Sequence, residues 1–148
     1  ETAWEKGWIK PIVSSKKQNQ KVAIIGSGPA GLAAATYLIE YGYDVEVFEK
    51  NDRIGGLMIY GIPNFKLDKS VVIRRHEWLK ESGVIFHTNC EVGKDITFDD
   101  LEKNFDAILI STGVYKARSL DLNTKKVNNS VPALDYLIPQ PVVSARRG

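Results

Sequence analysis

The sequence predicts an α/β domain built on a doubly wound parallel sheet. Three observations lead to this prediction. A short apolar segment at residues 21–25 runs directly into a glycine-rich turn at residues 26–31, helix-forming residues follow at about 29–41, and a second apolar segment closes the unit at 45–48. Strand, glycine turn, helix and strand in this order are typical of a βαβ unit, whose two strands are parallel.

Size, composition and charge narrow the function classes. The chain has 148 residues, of which 43% are hydrophobic and 26% charged, as in an ordinary globular domain. Its net charge of +2 is too small for the field that non-specific nucleic-acid binding needs, so no nucleic acid is expected as a partner. Without an apolar stretch of about 18 residues or a signal peptide, the sequence predicts a cytoplasmic protein with no membrane contact. A four-thiolate zinc site or an iron–sulfur cluster cannot be assembled from a single cysteine, Cys90, so no metal is expected.

The first elements are bounded by local signals. Residues 1–20 end in a polar run rich in Ser, Lys and Gln, which is typical of a linker. The β-branched residues of 21–25 favour a buried parallel strand. Pro29 suits the first turn of the next helix, and Gly42 can end that helix in a left-handed cap. The second strand ends at Glu49.

A glycine-rich loop at residues 51–63 separates this unit from a second helix. Asp68 is placed to cap that helix, and Gly83 to end it. Four apolar residues are predicted to share its buried face: Val71, Val72, Trp78 and Leu79.

The last elements are shorter. Residues 84–87 are predicted to form a strand, Thr97 and Asp100 a capping box that opens a brief helix, and residues 105–110 a further apolar strand. The polar segment after Arg118 is weakly patterned, apart from a helix that its Pro132 could start.

The glycine turn has the Gly-x-Gly-x-x-Gly spacing of a dinucleotide-binding loop. Gly26 permits the tight turn, Gly28 lets the backbone approach a pyrophosphate, and Gly31 lets the helix pack close to the strand. The pyrophosphate would lie against the N-terminal turn of the helix, beside Pro29 and Ala30, where free N–H groups and the helix dipole favour an anion.

Glu49 follows at about the spacing of the acidic residue that binds a ribose. Its carboxylate can accept hydrogen bonds from the two hydroxyls of an adenosine ribose, and it would repel a phosphate on that ribose. NADP is therefore disfavoured at this position.

A second glycine pair, Gly55 and Gly56, comes soon after Glu49. A simple NAD-binding domain does not need it, whereas a cofactor that extends from its pyrophosphate into a flavin needs close backbone approach there. Arg53 offers forked donors to phosphate or ribose oxygens.

Taken together, these motifs resemble the FAD-binding portion of the small (beta) subunit of glutamate synthase, and they are similar to the flavin domain of dihydropyrimidine dehydrogenase. The resemblance runs from about residue 8 to residue 113. It rests on several motifs in the same order, at residues 22–32, 48–50, 52–56, 60–67, 88–97 and 111–113.

The resemblance implies an FAD-dependent oxidoreductase that passes electrons from reduced nicotinamide through FAD to a large glutamate synthase subunit. It makes Arg53, Gly56 and Leu57 part of the wall around the flavin. It also brings the backbone of Val92 to the adenine and places a turn over the cofactor at residues 111–113. Because the flavin carries the chemistry, no catalytic residue is assigned. The predicted cofactor-binding residues are Gly26, Gly28, Pro29, Ala30, Gly31, Glu49, Lys50, Arg53, Gly56, Leu57, Val92, Thr112 and Gly113.

The family's flavin domain is discontinuous, and its nicotinamide domain has a glycine loop of its own. No second such loop follows Gly113, so we expect an incomplete FAD-binding half of a flavoprotein with two dinucleotide-binding domains. The predicted parts are a linker at 1–20, a Rossmann-like domain at 21–118 and a poorly patterned segment at 119–148. Two alternatives remain: a simple NAD-binding dehydrogenase domain, and an inert or partner-binding remnant with a Rossmann-like scaffold.

Overall fold

A parallel four-stranded sheet forms the centre of the molecule. The computed structural model describes residues 1–116 and 131–138. The strands lie in the order β3-β2-β1-β4, and every neighbouring pair is parallel. Their bounds are β1 (Lys21–Ile25), β2 (Asp44–Phe48), β3 (Ile85–His87) and β4 (Ala107–Ile110).

Helices connect and cover these strands, and the three longest of them were predicted from the sequence. Two helices that were not predicted, α1 and α3, have only four residues each, and such short helices show no apolar periodicity. The helices are α1 (Thr2–Glu5), α2 (Pro29–Glu40), α3 (Leu57–Tyr60), α4 (Lys69–Glu81), α5 (Phe98–Asn104) and α6 (Ala133–Leu137).

The two faces of β1 belong to two separate apolar clusters. Ile24 packs in a cluster with residues of α2 and α4, including Leu32 and Leu79. Ala23, on the opposite face, packs with Phe48 and with Leu101 of α5. Helices therefore cover both faces of the sheet, which confirms the predicted doubly wound α/β fold.

Helix α4 corrects one detail of the sequence analysis. Its N-cap is Asp68 as predicted, with the carboxylate accepting a hydrogen bond from the backbone N–H of Ser70 at 2.9 Å. Val72, Trp78 and Leu79 are buried, but Val71 is 38% exposed. Val71 lies in the first turn of α4, about 100° around the helix from Val72, at the edge of the apolar stripe that Val72 and Leu79 form.

The N-terminal segment packs against α4. The indole N–H of Trp78 donates to the carbonyl of Lys10 at 2.7 Å, and the N–H of Ile12 donates to Ser82 Oγ at 2.9 Å. Trp4, Ile9 and Ile12 border the larger apolar cluster. The predicted linker at 1–20 thus contributes to the core, and the division of the chain into three parts stays a prediction.

Helix α6 lies where Pro132 was expected to start a helix, and Pro132 is its N-cap. Residues 119–130 and 139–148 of the predicted C-terminal segment lie outside the described residues. None of the helices that the structure describes combines the length and apolar character needed to cross a membrane.

Candidate functional site

A cavity of about 550 Å³ opens at the carboxyl edge of the sheet. Because all four strands are parallel, the segments that follow β1, β2 and β4 meet at this edge, where ligands bind in open α/β sheets. Most of the predicted cofactor residues line it: Gly26, Gly28, Pro29, Ala30, Glu49, Lys50, Gly56, Leu57, Val92, Thr112 and Gly113.

The three glycines of the turn have three different surroundings. Gly26 has φ +101°, and a Cβ placed on it would lie 2.6 Å from the carbonyl oxygen of Ser111. A Cβ on Gly31 would lie 2.1 Å from the carbonyl oxygen of Gly26. Gly31 therefore serves helix–strand packing, and it does not line the cavity. Within the described part of the chain, no heavy atom lies within 4 Å of a Cβ on Gly28, which leaves this position open for a ligand.

Helix α2 points its N-terminus at the cavity. Gly28 is the N-cap and Pro29 follows in the first turn. The first N–H groups of an α-helix have no partner within the helix, and they carry its positive dipole end. The first turn of α2, described in full, has no acidic side chain to compete for them. The cavity therefore has the features of an anion-binding site.

The Glu49 carboxylate is buried and held by four hydrogen bonds. Ser27 donates to Oε2 from its backbone N–H at 3.1 Å and from its hydroxyl at 2.5 Å. Asn51 donates to Oε1 from its backbone N–H at 2.9 Å and from its side-chain amide at 2.8 Å. Only 5% of Glu49 is exposed, and Glu49 is one of the residues that line the cavity.

The second glycine pair packs directly against the first turn. Both Gly55 and Gly56 have positive φ, at +123° and +54°, in the region that favours glycine. The N–H of Gly55 donates to the carbonyl of Ser27 at 3.1 Å, and Gly56 adjoins Gly28. Two glycine segments that are distant in sequence therefore form one continuous wall.

Arg53 was predicted in the flavin wall, but the structure does not place it in the cavity lining. Its Nε lies 3.2 Å from Asp52 Oδ2, and its guanidinium lies 5.8 Å from the ring centroid of Tyr60. The Tyr60 hydroxyl donates to Asp52 and accepts the backbone N–H of Arg53. Burial and the hydrogen bond to Asp52 raise the pKa of Tyr60. These neighbours hold the Arg53 side chain away from the cavity.

Tyr115 is the largest lining residue that the sequence analysis missed. The ammonium group of Lys50 lies 4.9 Å from the centroid of its ring. Burial, and secondly the charge of Glu49, raise the pKa of its hydroxyl. Its position just after a strand and Gly113 was a usable signal, because residues there reach the carboxyl edge of the sheet. The other missed lining residues are Ile25, Ser27, Phe48, Cys90, Glu91 and Val114, and Ser111, which the resemblance placed over the cofactor, lines the cavity as well.

A parallel sheet whose glycine turn, helix N-terminus and strand-end carboxylate meet at one cavity defines a dinucleotide-binding domain of the Rossmann type. The family of NAD(P)-binding Rossmann-like domains matches residues 24–72. Among solved structures, FprA from Mycobacterium tuberculosis in complex with NADPH is similar, with a TM-score of 0.70 and 23% identity over 80% of this chain and 28% of that chain. This likeness shows the fold.

The sequence comparisons find a particular group of relatives. The small chain of the NADPH glutamate synthase of Azospirillum brasilense is 49% identical over 144 residues, which is 97% of this chain and 30% of that protein. The corresponding small chain of Bacillus subtilis is 48% identical over 134 residues, or 90% and 27%. These matches confirm the resemblance to the glutamate synthase small chain. The chain spans about 30% of the length of these relatives.

Proposed function

We propose that this chain is the FAD-binding segment of an NAD(P)H-dependent oxidoreductase of the glutamate synthase small-chain type. In such a protein, electrons would pass from reduced nicotinamide through FAD towards glutamate synthesis. The observation that carries the proposal is the arrangement of the first glycine turn, the second glycine pair and Glu49 around one cavity.

The shape and chemistry of the cavity fit an extended dinucleotide. Its volume of about 550 Å³ lies within the usual range for ligand pockets. Glu49 and Val92 suit an adenosine, Gly28 and the first turn of α2 suit a pyrophosphate, and Gly56 continues the wall beyond them. A side chain at Gly28 would occupy open cavity space, so glycine keeps that space free for a ligand.

In this proposal the protein binds and orients, and FAD when bound supplies hydride and electron transfer. The α2 N-terminus would neutralise pyrophosphate charge, and Glu49 would accept the ribose hydroxyls. The same carboxylate would repel a phosphate on that ribose. Reduced nicotinamide and a large glutamate synthase subunit are the proposed partners, and NADPH is not the proposed ligand of this cavity.

A simple NAD-binding dehydrogenase domain is the second candidate. The match to NAD(P)-binding domains at residues 24–72 favours it, because the first glycine turn and Glu49 would suit NAD as well as FAD. The close packing of Gly56 on Gly28 favours FAD, since NAD does not require the second glycine pair. The third candidate, a remnant that binds no cofactor, predicts that neither nucleotide binds.

Titration of the purified chain with FAD, NAD and ADP separates these candidates. We expect FAD to bind with a change in its visible absorption spectrum, and ADP to displace it. Tighter binding of NAD than of FAD would favour the dehydrogenase domain. If neither FAD nor NAD binds, the proposal is wrong and the chain is better described as a scaffold.

A further inference from the structure

Ser27 is buried at the centre of the glycine turn, with no exposed surface. Its hydroxyl donates to Glu49 Oε2 at 2.5 Å. The N–H of Gly55 donates to the same hydroxyl at 3.2 Å and to the Ser27 carbonyl at 3.1 Å. One small side chain thus contacts the strand-end carboxylate and the second glycine pair at once.

These two contacts fix the direction of the hydroxyl. An ionised carboxylate only accepts hydrogen bonds, so the proton of Ser27 Oγ must point at Glu49. The lone pairs of the oxygen then face Gly55, whose N–H can only donate. A hydroxyl held from both sides cannot rotate to serve another partner, and it presents a charge-assisted hydrogen bond to the carboxylate.

Removing this hydroxyl would leave the backbone contacts in place. The N–H of Ser27 would still donate to Glu49, and the N–H of Gly55 would still donate to the Ser27 carbonyl. Asn51 would still hold the other carboxylate oxygen. What disappears is the second hydrogen bond on Oε2, which limits rotation of the carboxylate before a ligand arrives.

We propose that Ser27 is a positioning residue for the adenosine ribose, which acts by fixing the Glu49 carboxylate in the orientation that meets the ribose hydroxyls. This inference rests on the proposed function, because it assumes an adenine nucleotide in the cavity. Its energetic basis is preorganisation: a carboxylate that is already immobile loses less entropy when it binds. The hydroxyl also links this carboxylate to Gly55. It therefore connects the part of the cavity proposed for the adenosine with the second glycine pair.

The matched control is Ser82, another buried serine. Its hydroxyl donates to the carbonyl of Trp78 at 2.7 Å and accepts the N–H of Ile12 at 2.9 Å, so it also makes one bond of each kind. It does not line the cavity. Ser27→Ala and Ser82→Ala therefore each remove a buried hydroxyl that donates one hydrogen bond and accepts one, the first beside the proposed ribose acceptor and the second at the C-terminal end of α4.

The first measurement compares ADP with 2′-deoxy-ADP. We expect Ser27→Ala to weaken ADP binding about tenfold, the equivalent of one hydrogen bond, and to weaken 2′-deoxy-ADP less, so the preference for ADP falls. Ser82→Ala should leave that preference unchanged. In a Glu49→Gln background, Ser27→Ala should reduce the preference no further. Equal weakening of both nucleotides, or no weakening, overturns the positioning role.

The second measurement needs no ligand. The side-chain amide of Asn51 donates to Glu49 Oε1, so its NMR resonances report on the orientation of the carboxylate. They should shift in Ser27→Ala and stay in place in Ser82→Ala; unchanged resonances in Ser27→Ala overturn the inference. If the wild-type chain binds neither nucleotide, the proposed function fails, and this second measurement still decides whether Ser27 orients Glu49.

Discussion

A Cβ placed on Gly56 would lie 2.9 Å from the Cα of Gly28. This distance is too short for a real side chain, so the chain at residue 56 can approach Gly28 this closely only because residue 56 is glycine. The contact joins the turn after β1 to the segment that opens α3. It creates the continuous glycine wall on which the proposed FAD site depends.

Gly28→Val should weaken FAD and ADP binding by more than about tenfold, or 1.4 kcal/mol, with little loss of stability. Gly28 has φ −65°, which any residue adopts, and its missing side chain would extend into open cavity space. Isothermal titration measures the change in FAD and ADP affinity, and thermal unfolding measures the change in stability. Ala33→Val, on the exposed face of α2, is the control for adding a branched side chain. Unchanged affinity in Gly28→Val would mean that the ligand does not use this turn.

Gly56→Ala should reduce both stability and FAD affinity. Its positive φ costs about 1–3 kcal/mol for a residue with a side chain, and the contact with Gly28 forces the wall apart. Gly83→Ala is the control, because Gly83 also has a positive φ, of +101°, its Cβ position meets only Ile39 Cδ1 at 3.8 Å, an ordinary contact, and it does not line the cavity. Urea unfolding should show a lower stability in both variants, whereas FAD titration should show a lower affinity only in Gly56→Ala. Equal behaviour of the two variants contradicts the shared wall.

Glu49→Gln should weaken adenine-nucleotide binding by about 1.5–3 kcal/mol, the value of a hydrogen bond to a charged group. It should also lower stability, because the new side-chain NH₂ group would face N–H or O–H groups of Ser27 or Asn51. The carboxylate now accepts hydrogen bonds from these groups, whereas an NH₂ group can only donate. Glu49→Arg should shift the preference from ADP towards ADP that carries a 2′-phosphate. Competition between these two nucleotides measures the shift. An equal loss for both in Glu49→Arg contradicts the assignment of Glu49 to the ribose.

Tyr60→Phe should lower stability near neutral pH by about 1 kcal/mol, the net value of a hydrogen bond. The hydrogen bond from Tyr60 is the main cause that lowers the pKa of Asp52. Folding therefore favours the ionised carboxylate, so this contribution is complete above the pKa of the unfolded chain and disappears as the pH falls through the folded pKa. Its pH-dependent part is small, because the Asp52 side chain is 57% exposed.

Urea unfolding of wild type and Tyr60→Phe from pH 7 down to about pH 3 measures this dependence. The difference in the free energy of unfolding between wild type and Tyr60→Phe should become smaller as the pH approaches the acidic end of this range. Tyr37→Phe, on an exposed position of α2, should show no such narrowing. A difference that stays constant or grows on acidification would show that the Tyr60–Asp52 hydrogen bond is not linked to folding.

The chain alone should show no oxidoreductase turnover above that of free FAD. Its sequence contains one Gly-x-Gly-x-x-Gly motif, which provides one pyrophosphate site, whereas hydride transfer needs a nicotinamide held in contact with a flavin. The assay combines the chain with FAD, NADPH or NADH and an artificial electron acceptor. A rate far above the free-FAD background that is lost in Gly28→Val would make this chain a complete flavoenzyme.

The elements and caps of this fold could be predicted from the sequence because their causes are local. The strand that runs into Gly26, the cap at Asp68 and the capping box of Thr97 and Asp100 each depend on residues a few positions apart. The structure confirms these elements. The convergence of Gly28, Glu49 and Thr112 on one cavity was also predictable, because parallel strands bring their carboxyl ends to the same edge.

Other features depended on contacts between distant parts of the chain. Glu49 reaches back 22 positions to Ser27, and Gly55 reaches back 28 positions to the same residue. The spacing of the motif predicts where Glu49 lies, but no spacing rule gives its hydrogen bonds to Ser27, so the position of the carboxylate could be predicted and its hydrogen bonds could not. Arg53 was expected in the cavity wall from the family resemblance, whereas its partners are the nearby residues Asp52 and Tyr60, because the sequence does not give the direction of a side chain. Local sequence determined which residues end the strands and begin the helices, and tertiary packing decided which of them touch and where their side chains point.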